Sequence, residues 1–200
     1  MTKRFSPIRQ SVPMPVVTPT PTVEPALKLV QERRLRSFTG VGYDKGRSRA
    51  WQVLWFAVMN IAFMKWWMPM RYRPAILRAF GAQVGERVRI RQNVRVLWPW
   101  KLSIGDDCWI GEGVWLLNLE QITIDHDACL SQEAFLCTGS HVHRDPAFEF
   151  DNAPIHIGVG AWIAARATVL RGTTVRDGVV VGAGSVVRPA RISTTGHASL

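Results

Sequence analysis

Val84-Gly85-Glu86-Arg87-Val88-Arg89-Ile90, Ile104-Gly105-Asp106-Asp107-Cys108-Trp109-Ile110 and Ile124-Asp125-His126-Asp127-Ala128-Cys129-Leu130 are three copies of one pattern. It returns as Ile157-Gly158-Val159-Gly160-Ala161-Trp162-Ile163 and Val175-Arg176-Asp177-Gly178-Val179-Val180-Val181. Within each copy an aliphatic residue recurs every six positions: 84, 90, 96; 104, 110, 116; 124, 130, 136; 157, 163, 169; 175, 181, 187. Four positions after an aliphatic the residue is often small, as at Cys108, Ala128, Ala134, Ala161, Ala167 and Ser185. A period of six fits neither the turn of a helix nor a lone alternating strand. It predicts an all-β chain, a parallel β-helix of hexapeptide repeats in which three short strands make one triangular coil and the aliphatic residues point inward.

A coil of three hexapeptides takes eighteen residues, yet the first three copies start twenty apart, at 84, 104 and 124. The two extra residues, Leu102-Ser103 and Ile122-Thr123, predict a lengthened strand at one corner of each coil. Asp125 and Arg176 stand where the other copies have glycine, which predicts modest strain in those two turns. Between 136 and 157 the period breaks, residues 139–156 do not fit it, and after 157 the spacing returns to eighteen. One long loop is therefore inserted into a regular solenoid, and such insertions map to the functional face.

The overall charge of +10 is unevenly placed. Residues 1–80 hold fourteen Lys or Arg against three Asp or Glu; residues 81–200 hold eleven against twelve. No nucleic-acid-binding module accompanies the basic half. Cys108, Cys129 and Cys137 form no CxxC pair and read as reduced thiols of a cytoplasmic protein. Residues 1–37, with Pro13, Pro15, Pro19, Pro21 and Pro25, read as a disordered Pro/Thr-rich tail without the apolar core of a secretory signal.

Residues 38–82 form a basic, Trp-rich segment whose stretch 51–70 is apolar on nearly all sides and flanked by Arg47, Arg49, Arg71, Arg73 and Arg78. Twenty residues of helix would reach about 30 Å. Three readings stay open: a helix lying in or against the inner leaflet of a membrane, a helix capping the end of the solenoid, and a spanning helix interrupted by Gln52, Asn60 and Lys65. Residues 83–188 are the β-helix, and 189–200 a short tail.

Three of five histidines, His141, His143 and His156, lie in or beside the insertion. A neutral imidazole there can take a proton from an attacking hydroxyl near neutral pH.

The segments Trp98-Pro99-Trp100, Trp109-Ile110-Gly111-Glu112-Gly113, Ser131-Gln132-Glu133-Ala134, Leu136-Cys137-Thr138-Gly139-Ser140-His141, Asp145-Pro146-Ala147-Phe148, Gly160-Ala161-Trp162-Ile163-Ala164-Ala165 and Val181-Gly182-Ala183-Gly184-Ser185-Val186-Val187 carry a resemblance. Over residues 38–187 the chain resembles the hexapeptide-repeat acyltransferases, and among them the colanic-acid-biosynthesis type of O-acetyltransferase. The resemblance implies a left-handed coil and a homotrimer with sites between subunits. It also implies direct transfer from acetyl-CoA to a sugar hydroxyl of an exopolysaccharide or lipid-linked glycan precursor, without a metal. Backbone N–H groups would hold the oxyanion. The base falls on His141, with His143 as the alternative; a covalent intermediate on Cys137 is a further route. Acetyl-CoA contacts map to Gly160, Trp162, Ala164, Ala165, Gly182, Ala183 and Arg188, and acceptor contacts to Asn118, Glu133, Asp145 and Asp151. Such a protein is cytoplasmic, at the inner face of the membrane if the Trp-rich segment binds lipid.

The chain departs from the family after Val187. Arg188-Pro189-Ala190-Arg191 is not followed by the segment that closes over the nucleotide of the donor. Two other functions compete: a binding scaffold without catalysis, and a zinc hydrase like the γ-type carbonic anhydrases, for which His126, His141, His143 and His156 are the available ligands.

Overall fold

The computed structural model describes residues 33–189. Residues 1–32 of the tail assigned to residues 1–37, and residues 190–200 with Arg191 among them, lie outside the described residues. Each coil has three strands: β1 Gln83–Val84, β2 Arg89–Ile90 and β3 Arg95–Val96 in the first. The second has β4 Leu102–Ile104, β5 Trp109–Ile110 and β6 Trp115–Leu117; the third has β7 Ile122–Ile124, β8 Cys129–Leu130 and β9 Phe135–Cys137. The fourth has β10 Ile155–Ile157, β11 Trp162–Ile163 and β12 Thr168–Leu170. The fifth has β13 Thr174–Val175, β14 Val180–Val181 and β15 Val186–Val187.

Equivalent strands of successive coils pair in parallel, giving three five-stranded faces: β1-β4-β7-β10-β13 (face A), β2-β5-β8-β11-β14 (face B) and β3-β6-β9-β12-β15 (face C). The register places each inward aliphatic on the next, as in Ile104 on Ile124, Ile110 on Leu130 and Leu116 on Leu136. These columns are buried, and each such side chain contributes about 1.5–3 kcal/mol. The extra residues at 102–103 and 122–123 do lengthen the strands of face A.

Two corners are tight turns with one residue in the left-handed region. Arg87, Asp107, Asp127, Gly160 and Gly178 hold it between faces A and B; Asn93, Gly113, Glu133, Arg166 and Gly184 hold it between B and C. The conformation is unfavourable for most side chains and mildest for Asn and Asp. Hydrogen bonds between coils offset it, as when the Asp107 N–H donates to Glu86 O and that of Asp127 to Asp106 O. The glycine of the repeat serves another purpose: a Cβ on Gly105 would stand 2.5 Å from the His126 nitrogen of the next coil. Gly105 does not have positive φ, and neither do Asp125 and Arg176. Asp125 and Arg176 therefore carry no left-handed backbone strain, and at this position of the repeat it is close approach, not φ, that favours glycine.

The apolar stretch 51–70 is not one helix. α1 spans Arg49–Val58, capped by the Ser48 hydroxyl, which accepts from the Trp51 N–H, and continues as a π-helical turn over Met59–Phe63. The chain then turns back into α2, Arg73–Ala79. The carbonyls at the end of this helix are captured by Arg73 of α2 and by Asn93 of the first coil. The buried Arg73 guanidinium donates to Phe63 O, Lys65 O and Ile90 O, and the Asn93 N–H donates to Met64 O. Burial, with Arg91 nearby, pulls the Arg73 pKa down. Trp55, Met59 and Phe63, four residues apart, point into the core, and the Trp55 indole N–H is shared between Val96 O and Leu97 O. One face of the segment thus caps the first coil. No helix among the described residues is long and apolar enough to cross a membrane.

Candidate active site

The third corner, between faces C and A, is wide and carries the insertion. In the second coil it is locked by Asn118, whose side-chain amide donates to Trp98 O and Lys101 O while its oxygen accepts from the Trp98 N–H. In the third coil Thr138 takes that place, its hydroxyl donating to Leu117 O and accepting from the Glu120 N–H. Residues 138–154 then leave the coil as a hairpin. His141 and Phe150 form an antiparallel bridge, the Val142 N–H donates to Glu149 O at 2.8 Å, and the Asp151 N–H to Ser140 O at 2.8 Å. Asp145 folds the tip by accepting from the Ala147 N–H.

His141 is fixed by this hairpin. Its ring stacks on Phe148, with centroids 4.3 Å apart and planes 7° off parallel, and packs on Phe150 at 5.1 Å. Nδ1 lies 2.7 Å from Phe148 O. A carbonyl can only accept, so Nδ1 carries the proton, and in the neutral ring Nε2 presents its lone pair. Phe148 adopts φ +56° to aim that carbonyl, a conformation costing a bulky residue about 1–3 kcal/mol. The histidine ring it stacks on offsets that strain.

A strap from the N-terminal segment completes the enclosure. Phe38 meets His141 and Phe150 edge-on, and Tyr43 meets Phe150. The Glu149 carboxylate accepts from the Thr39 N–H at 2.7 Å, the Thr39 hydroxyl at 2.8 Å and the Gly40 N–H at 3.0 Å. Residues 34–37, which the sequence places in the tail, belong to this strap: the Arg34 N–H donates to Pro146 O, and a 3₁₀ turn covers Leu35–Ser37. These donors, the Thr39 N–H foremost, hold the Glu149 carboxyl below its ordinary value. A depressed carboxyl pKa means the strap contact is present above the usual glutamate pKa of about 4.3 and is lost as pH falls through the lower folded value. Hydrogen-exchange protection of the Thr39 and Gly40 amides is expected to hold at neutral pH, to fall in acid below that range, and to be low already at neutral pH in Glu149→Gln. Protection unchanged by the substitution rejects the clamp.

The other predicted residues scatter. His143 is exposed on the hairpin. Asp151 pairs with Arg171 and tethers the hairpin to the fourth coil. Asn118, expected to touch the acceptor, is wholly buried and its amide is spent on backbone, so it is a corner lock. Glu133 lies at the corner between faces B and C, paired with Arg166 at 2.5 Å. Ala164, Ala165, Gly182 and Ala183 stack at that same corner in the last two coils, and Trp162 covers its approach from face B, donating to the Ser131 hydroxyl at 2.8 Å. Gly160 is in the turn between faces A and B, and Arg188 is exposed just after β15, at the corner of the hairpin. Within one chain the small-residue corner and His141 are separated by the width of face C.

Burial raises the Cys137 thiol above its ordinary pKa, against the hydrogen bond to Gly139 O, which leaves little thiolate for covalent chemistry. His126 pairs with Asp127 and His156 with Asp125, and no three potential ligands gather among the described residues. The strap-side partners of His141 were not singled out from sequence. Phe148 and Phe150, the two phenylalanines of the insertion, were the available signal.

A solenoid of hexapeptide coils with one ordered, histidine-bearing insertion defines a hexapeptide-repeat protein, and comparison with known proteins narrows the class. Residues 154–189 match the hexapeptide repeat of succinyl-transferase. A colanic acid biosynthesis acetyltransferase of Escherichia coli K12, WcaF, is 42% identical over 150 residues, 72% of this chain and 81% of that protein. A lipopolysaccharide biosynthesis O-acetyl transferase of the same organism, WbbJ, is 32% identical over 99 residues, 44% of this chain and 50% of that one. The crystal structure of a Vibrio cholerae hexapeptide-repeat acetyltransferase complexed with acetyl-CoA shares the fold, with TM-score 0.65, 22% identity, and 76% and 85% of the two chains covered. The chain belongs to the hexapeptide-repeat acetyltransferases, in the group of the colanic acid biosynthesis enzymes, and its coil is the left-handed parallel β-helix of that family.

Proposed function

We propose that the protein transfers an acetyl group from acetyl-CoA to a sugar hydroxyl of an exopolysaccharide or lipid-linked glycan precursor, with His141 as general base. The observation that carries this reading is the Nδ1–H···O=C bond from His141 to Phe148, which leaves Nε2 as an oriented proton acceptor. Nε2 takes the acceptor hydroxyl proton while the oxygen attacks the thioester carbonyl carbon. The C–S bond then breaks, and the CoA thiolate recovers the proton from the imidazolium. The imidazolium keeps its Nδ1 bond to Phe148 O throughout.

The working unit is a homotrimer. Face C lies between His141 and the small-residue corner of the same chain, so the donor-binding Ala164, Ala165, Gly182 and Ala183 serve the hairpin of a neighbouring copy. Trp162 and the cation of Arg188 complete the donor site, and Asp145 and Glu133 are the remaining acceptor candidates. Acetyl-CoA is a cytoplasmic metabolite, which places the reaction in the cytoplasm.

Calorimetric titration of the full chain with acetyl-CoA tests the reading without knowledge of the acceptor. Micromolar binding is expected, with light scattering giving three copies of the 22.5 kDa chain. A monomer, or no binding up to millimolar acetyl-CoA, rejects it.

A further inference from the structure

We propose that the outward face of the N-terminal cap docks the protein on an anionic phospholipid bilayer. The argument begins with the circumference of α1 and its π-helical turn. Trp55, Met59 and Phe63 face the first coil, but the opposite side is also apolar, carrying Val53, Leu54, Phe56, Ala57 and Ile61. A helix on a protein surface ordinarily turns a polar face to water; one that is apolar all round has a second apolar neighbour. Phe56 and Ile61 are 63% and 68% exposed, and in the turn that follows Trp66 and Trp67 are 84% and 52% exposed. Asn60, the polar residue on that side, spends its amide N–H on Phe56 O.

The charge around this face selects the neighbour. From residue 45 to residue 85 there is no Asp or Glu, while there are seven Lys or Arg. Arg73 is consumed in the core, and Arg78 is turned to the first coil, donating to Val84 O and Gly85 O beside Glu86; Lys45, Arg47, Arg49, Lys65 and Arg71 are exposed. Arg49 opens α1, where the helix dipole favours an anion, so its place there is not explained by helix stability. Apolar side chains ringed by cations, with indoles at the boundary, match the acyl edge and anionic headgroups of a bilayer. A second protein surface would need an acidic rim of its own, and on the described residues of this chain the segment itself supplies none.

The segment must stay in place for a fair test, because its inner face covers the first coil and deletion would uncover it. The full chain is sedimented with vesicles of phosphatidylcholine, and of phosphatidylcholine with about three-tenths phosphatidylglycerol. Binding to the anionic vesicles, weaker on neutral ones and reduced by salt, is expected. Phe56→Gln with Trp66→Ser, both on exposed positions, weakens it about a hundredfold. Arg49→Gln with Lys65→Gln weakens it about thirtyfold on anionic vesicles only. Far-UV circular dichroism confirms that each variant is folded. The proposal is overturned by no vesicle binding, by equal binding to both vesicle types, or by unchanged binding of the apolar double variant. It is equally overturned if that variant lowers the oligomeric mass, since a second copy then occupies the face. The assay uses neither donor nor acceptor, so its outcome is independent of acetyl transfer.

Discussion

His141→Ala is expected to lower kcat for acetyl transfer about 10²–10⁴-fold, the usual contribution of a positioned general base, and to leave acetyl-CoA affinity within about twofold. His141→Gln gives the same loss although its amide can still donate to Phe148 O, because it has no basic lone pair to offer. His143→Ala, on an exposed side chain of the hairpin, stays within about twofold of the native enzyme. The measurement is thiol release from acetyl-CoA with a responsive sugar acceptor. A His141→Ala enzyme that retains a tenth of native kcat would remove the base from this residue.

Trp55→Ala is expected to cost about 3–5 kcal/mol of folding stability. The side chain is fully buried against Phe63 and Phe80, and its loss leaves a large hole where the cap meets the first coil. It also strips the indole donor from Val96 O and Leu97 O. Trp66→Ala, eleven residues on in the same apolar run, changes stability by no more than about 0.5 kcal/mol because that side chain is mostly in water. Urea melts at one fixed protein concentration make the comparison, since assembly shifts apparent stability. Equal losses for the two tryptophans would mean that the cap does not sit on the coil as described.

The repeat was legible because the β-helix spends one inward aliphatic on each hexapeptide, so the columns through Ile110 and Leu130 are written directly in the spacing. The break at 136–157 was legible for the same reason. Residues 51–70 show where that kind of reading stops. Hydropathy records that Trp55 and Trp66 are apolar, but not that Arg73 would bind the carbonyls of Phe63 and Lys65 and turn the chain back. His141 and His143 could be picked out as candidates by their place at the head of the insertion, and the family resemblance put His141 first. The geometry that fixes its tautomer could not, since it depends on a backbone carbonyl and on a left-handed φ at Phe148. Asn118 was misjudged for a related cause. A polar residue near a site has the same letter whether it faces a ligand or ties down a corner, and only its three backbone partners decide.

The strap sets an order on how this enzyme is made. Coil-to-coil contacts join residues about twenty apart, as in Gln83 to Ser103 or Trp115 to Phe135, so the solenoid can grow by local steps. Thr39 and Glu149 are 110 residues apart, and closing that pair comes after the coils between them have stacked. On a ribosome adding about 5–20 residues per second, Phe38 waits on the order of ten seconds for the hairpin it will cover. The nascent chain therefore holds its first three coils before Phe38 can close over the hairpin, and the last two coils, β10 to β15, leave the ribosome only after that hairpin.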